Sequence, residues 1–359
     1  MNTGAVEPAA ATPAAVKVPL LDRPGPVSRL VAWGDRRSWW GVLIVVLVCA
    51  AEFAWAHAVL WSNGRIPVGT VDANVLIFLV YAPYGVVQMA IAARIARGAV
   101  ATFWPATGWP ESARSAWADR FTYTPARLEV PILVIGVVAA IGSLLAARAA
   151  IVGSDQQRLM SQFAYAPMYL LGYGLSAVAV VIAIRWLGLV ARIHADARAI
   201  NPFDRAPIYA FSRLTVFIGL ATVVATWFSF TVNAVNQAGN VPSLIIGAVS
   251  VALGVAAFVA PQWGIHERLV HEKDRLAQET ERRISQVGEE LSGMVDARSF
   301  DTIAAINASL QGLIALRDRI ARLPTWPWPP QLLRGFLTAL LLPVIVYLTS
   351  RLLGTGIGL

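Results

Sequence analysis

Residues 266–323 read HERLVHEKDRLAQETERRISQVGEELSGMVDARSFDTIAAINASLQGLIALRDRIARL, a charged block set between two apolar stretches. It is the only long region whose polarity suits a folded body in water. In its first half, apolar or small residues fall at Leu276, Thr280, Ile284, Val287, Leu291 and Met294. These steps of three and four stripe one face of a helix. Glu272, Lys273, Arg275, Glu279, Arg282, Glu289 and Glu290 cover the rest of that surface. A break follows at 296–299, where Ser299 fits an N-cap. The second half repeats the stripe with Ile303, Ile306, Leu310, Leu313, Ile320 and Leu323. The expectation is an antiparallel coiled-coil hairpin whose longer arm extends about 40 Å. Such a hairpin suits either a packed spacer between two membrane helices or a docking arm. In the second use, residues 266–322 meet a partner protein or another copy of the chain.

Outward from the block, the chain is apolar. Of 359 residues, 57% are hydrophobic and 14% charged, and the mean hydropathy is +0.60. That composition belongs to an all-α, polytopic integral membrane protein whose main partner is the lipid bilayer. Seven spans are expected, at about 39–61, 75–95, 131–152, 165–190, 209–233, 244–263 and 336–353. The resulting domains are a disordered tail (1–38), a six-helix membrane unit (39–263), the hairpin (264–323), and a turn with the seventh span (324–359). A short helix opened by Pro110 and Glu111, with Ala113, Trp117 and Phe121 on one side, is expected to lie in the membrane interface.

The net charge of +8 sits in short segments beside the spans rather than on a nucleic-acid-binding surface. The tail, the loops after the second and fourth spans, and the hairpin hold nearly all the Lys and Arg. The opposite side holds only Arg65, Arg158 and the span-end residues Arg148 and Arg351. Basic loops stay in the cytoplasm, so the N-terminus is expected there and the C-terminus outside. Tyr81-Ala82-Pro83 and Tyr165-Ala166-Pro167 stand at matching places in two spans, but three residues are too few to establish a repeat.

The stretch ARLPTWPWPPQLLRGFLTALLLPVIVYL, with Leu323, Pro324, Trp326, Pro327, Trp328 and Pro343, resembles the C-terminal end of a family of uncharacterised prokaryotic polytopic membrane proteins. Those proteins carry a cytoplasmic helical segment, then an L-P-x-W-P-W turn before the last span. In a central loop they have a Pro-Asp-type motif followed by glycines; this chain has NPFDRAPIYAFSRL, with Pro202 and Asp204 and no glycine. The resemblance implies a multi-pass protein of a prokaryotic inner membrane and supplies no activity. From the residues alone, the prolines favour an extended path, and Trp326 and Trp328 read as interfacial anchors.

Signatures of catalysis are missing. His266 and His271 are five residues apart, roughly 140° around a helix, so they diverge rather than share a metal. The one cysteine, Cys49, lies in a span. No Gly-rich phosphate loop or nucleophile elbow is present, and no cofactor is expected. Polar residues inside the spans are the remaining candidates. Glu52 lies about 18 Å along the first span from Trp40. Arg148 is within reach as its partner, because arginine is long and snorkels. Gln88 is expected to hydrogen-bond between helices. These features support a membrane-anchored scaffold or signal-relay protein, with a small-solute or ion transporter or channel as the alternative.

Overall fold

A bilayer offers backbone N–H and C=O groups no water, so apolar runs of this length must satisfy those groups within a helix. The computed structural model describes residues 23–36, 38–149, 156–198, 200–237, 241–296 and 303–341, and among them the chain is helical. The long elements are α1 (Pro26–Arg36), α2 (Ser38–Ser62), α3 (Ala73–Thr107), α4 (Arg114–Thr122), α5 (Ala126–Ala149) and α6 (Gln156–Asp196). They continue with the one-turn α7 (Arg205–Ile208), α8 (Ser212–Gln237), α9 (Val241–Val259), α10 (Trp263–Asp296), α11 (Ile303–Ala321) and α12 (330–341). Among the described residues, six helices are long and apolar enough to cross a membrane: α2, α3, α5, α6, α8, and the rod that begins in α9. Of the expected seventh span, only the first part lies among the described residues, as the end of α12.

Several helices outrun the spans read from hydropathy. The second span was expected to end near Ile95, yet α3 continues to Thr107; the fourth was expected to end near Val190, yet α6 runs to Asp196. Hydropathy marks the thickness of the lipid layer, whereas a helix stops where its propensity or a proline stops it. The rod Ala248–Asp296 is 49 residues long, about 73 Å, and passes from span to arm through a single 3₁₀ turn at Ala260–Gln262 that holds Pro261.

Two expectations are corrected. The tail read as disordered to residue 38 already forms a helix at Pro26–Arg36, with Val27, Val31 and Ala32 buried; residues 1–22 lie outside the described residues. The short segment after Pro110 is helical, as expected. However, Ala113, Trp117 and Phe121 are buried against the protein's own core rather than turned to lipid. Trp186 and Phe211 sit in the same cluster, so these rings pack on other rings.

The basic segments assemble at one end of the bundle. Gly25 N donates to Thr124 O and Ala126 N to Arg23 O, which joins the start of α1 to the loop before α5. Arg198 N donates to Thr107 O, which sets the end of α6 beside the end of α3. Tight crossings need glycine: a Cβ on Gly136 would lie 2.8 Å from the Gly174 Cα, so α5 and α6 meet backbone to backbone there. Gly219 and Gly254 serve the α8–α9 crossing in the same way, where a Cβ on Gly219 would come within 2.6 Å of the Gly254 carbonyl.

α11 packs along α10 and runs antiparallel to it, with Lys273 near the start of one beside Ala321 at the end of the other. The stripe residues named above are half-buried or buried, Thr280 and Ile320 most fully. The turn with Ser299 lies outside the described residues.

Candidate functional site

Pro83 in α3 and Pro167 in α6 have no N–H, so the carbonyls four residues earlier lose their helical donors. Those carbonyls belong to Leu79 and Phe163, and α2 answers both. The Cys49 thiol donates to Leu79 O at 3.9 Å, and Trp55 Nε1 donates to Phe163 O at 2.9 Å. The two Tyr-Ala-Pro segments therefore do the same thing, each opening a backbone acceptor towards α2. Glu52 lies midway, three residues from each donor, and is wedged where α2 meets α3 and α6.

Glu52 is 5% exposed, and neither of its carboxylate oxygens has a hydrogen-bond donor among the described residues. His57, five residues on, is otherwise engaged. Its Nε2 accepts from Asp72 N at 3.1 Å, which leaves Nδ1–H to donate to Phe53 O at 2.9 Å. The Arg148 side chain lies outside the described residues, so the expected pair with Glu52 is untouched by the structure. Gln88 buries an Oε1 with no donor among the described residues, and it does not bond to Glu52.

The second concentration of polar and aromatic groups lies at the root of the arm. The His266 ring stacks on Trp326 at 3.7 Å and 8°, and Trp326 stacks on Trp328 at 4.5 Å. Phe258 continues the column, 4.6 Å from Trp328 and 4.7 Å from Phe336. His266 Nδ1 lies 2.8 Å from Thr325 O. Trp326 and Trp328 were expected as interfacial anchors; in the structure both are half-buried, with ring faces given to α9 and α10. The prolines explain this, because a chain barred from helix offers its rings to the nearest helix surface.

Two cations bind helix ends here. Arg268 donates to the carbonyls of His194 (3.0 Å), Ala197 (2.8 Å) and Ala195, closing the end of α6. Lys273 donates to Ala321 O at 2.7 Å and Leu323 O at 3.1 Å, closing the end of α11. Terminal carbonyls lack helical donors, and a cation also suits the negative end of the helix dipole. On the sequence Lys273 reads as surface cover, because nothing local announces the distant carbonyls. Beneath them Gln262 Nε2 donates to Thr215 Oγ1 and to Phe258 O (3.2 Å), while the buried His194 ring sits against Phe103 and Phe211. Arg185 donates to Arg120 O, and Trp186 Nε1 donates to Phe121 O at 2.8 Å. Burial, and then the Arg192 guanidinium, hold Arg120 below the usual arginine value. Among the described residues, no three His, Cys, Asp or Glu side chains gather as a metal site would require.

Among the described residues, fold and site together define an all-helical protein with six helices long and apolar enough to cross a bilayer and a long polar arm fastened at its basic end. No protein-family model, curated protein or solved structure matches the chain.

Proposed function

We propose that the protein is a seven-span inner-membrane scaffold or signal-relay protein of a prokaryote. Its arm, residues 266–322, is a cytosolic coiled-coil hairpin that docks a partner protein. The basic end faces the cytoplasm, by the positive-inside rule. The observation that supports this reading is the fastening of the arm. α10 grows out of a span through one 3₁₀ turn, and Arg268, Lys273 and the His266–Trp326–Trp328 stack tie its root to α6, α11 and the turn. A spacer needs no such fastening, whereas an arm that reports on the bundle must move with it. The test is site-specific photo-crosslinking in native membranes at the exposed positions Arg282, Glu289 and Ala308. Discrete protein adducts that vanish in Leu291→Asp are expected. Adducts absent at all three positions would overturn the docking reading.

One observation favours the alternative, a small-solute or ion transporter. A carboxylate buried in a span is costly and marks ion or proton pathways, and Glu52 has both oxygens without a donor among the described residues. In proteoliposomes, flux that is lost in Glu52→Gln but survives Leu291→Asp would establish transport and make the arm its regulator.

A further inference from the structure

We propose that Arg120 of α4 and Arg192 of α6 hold the phosphate of one anionic phospholipid at the basic end of the bundle. Two bonds fix the end of α4 against α6. Arg185 Nη1 donates to Arg120 O at 2.5 Å, and Trp186 Nε1 donates to Phe121 O at 2.8 Å. Arg185 and Arg192 are seven residues apart, so they share one face of α6, about 10 Å apart along its axis. The Arg192 charge bears on Arg120, and the Arg120 charge bears on Arg185. The Arg120 guanidinium lies over the Trp117 ring, 4.7 Å from its centre, which covers one face and leaves the N–H groups at its edge. Like charges repel, yet no carboxylate joins them. Asp119 and Asp196, the nearest acids in sequence, make no ion pair with either arginine among the described residues. Two guanidiniums within range of one another's charge call for a shared anion, and a phosphate accepts their forked N–H pairs. Arg185 and Trp186 act as positioning residues, since they set the end of α4 beside α6.

The surroundings favour a lipid over a soluble phosphate. On α6, Val180, Ile184, Gly188 and Ala191 are all exposed, in steps of four, four and three. Such steps form one stripe, and it is apolar from end to end. Arg192 is the next residue after the stripe and stands at its basic end. The stripe is about 16 Å long, close to half of the ~30 Å hydrocarbon layer. It lies in a helix long and apolar enough to cross a bilayer. A phospholipid has the matching shape, a charged phosphate above acyl chains one leaflet deep, and basic sites between spans recognise such headgroups. Long arginine side chains place their charge at the phosphate layer while their stems stay apolar. The proposal rests on membrane insertion and is independent of what the arm binds.

The experiment uses the full chain in nanodiscs of mixed phosphatidylglycerol and phosphatidylcholine, followed by native mass spectrometry of retained lipid. Wild type is expected to keep one phosphatidylglycerol in preference to phosphatidylcholine by about tenfold or more. Arg120→Gln with Arg192→Gln should abolish the preference, and Arg120→Lys with Arg192→Lys should keep part of it, since the charge remains and the fork is lost. A control pair, Arg205→Gln with Arg213→Gln, removes two exposed charges elsewhere and should change nothing. Lack of preference in wild type would overturn the proposal even if a variant misfolds. A preference that survives in the glutamine pair would overturn it too, as would equal loss in the control pair, which would show a general charge effect. Displacement of the retained lipid by free glycerol 3-phosphate would overturn the lipid assignment in favour of a soluble phosphate.

Discussion

Two buried carboxylates show how much the surroundings of a single residue matter. Glu129, at the start of α5, is 1% exposed and accepts from Val27 N and from Ser28 N (3.2 Å), capping a helix about a hundred positions earlier. Pro26 stands at the first position of α1, where its missing N–H is no loss. Gly25 before it has no side chain to cap with, and a Cβ there would meet the Glu129 carboxyl carbon at 2.3 Å. The cap therefore comes from another element. Glu129→Ala leaves two buried N–H groups without an acceptor, at a cost of about 1–3 kcal/mol. Deuterium exchange across 26–36 should accelerate, with Glu129→Gln falling between the two; exchange unchanged in the alanine variant would show that α1 holds itself. Glu52 has no such donors among the described residues, so its presence is not explained by capping.

At the scale of the element, the arm is a two-helix body with a small core. Leu291 on α10 and Leu310 on α11 are half-buried on the striped faces, whereas the Glu279–Arg283 pair, at 2.5 Å, is largely in solvent. Leu291→Asp or Leu310→Asp puts a charge into a surface that needs to be dry, which costs several times more than an exposed pair is worth. Limited proteolysis of the full protein should cut both variants within 266–322 while the spans stay protected. Glu279→Ala should resemble wild type, since such pairs contribute about 0–1 kcal/mol. An arm equally resistant in all three variants would mean that the stripes do not hold it together.

The whole molecule has two unlike ends. At one end the start of α1 is hydrogen-bonded to the loop before α5, and the end of α6 to the end of α3 and to the root of the arm; Arg23, Arg192, Arg198 and Arg268 stand in these segments. Among the described residues, six helices long and apolar enough to cross a membrane lie from α2 to the start of the arm, an even number. A reporter active only in the cytosol should work when fused after Arg298 and fail when fused after Leu359. Activity at both places would leave the last span uncrossed and remove the seven-span reading.

The helical class, the helices apolar enough to cross a bilayer, the gathering of basic segments and the stripes of the arm were all legible in the sequence. Hydropathy, charge and the 3.6-residue period are properties of neighbouring residues, and lipid leaves an apolar run little choice but helix. The Pro83 and Pro167 carbonyls illustrate the boundary. Their loss of helical donors follows from the sequence, but that Cys49 and Trp55 supply new ones depends on which helix lies alongside. The same holds for Glu129 on α1, Arg268 on α6, Lys273 on α11, and the Trp326–Trp328 stack on α9 and α10. Each satisfies a backbone group or ring face of a distant element, and a pairing across tens of residues leaves no periodic trace in the chain. Local patterning therefore set which helices are able to cross a bilayer, and tertiary packing alone decided what fastens those helices to one another and to the arm.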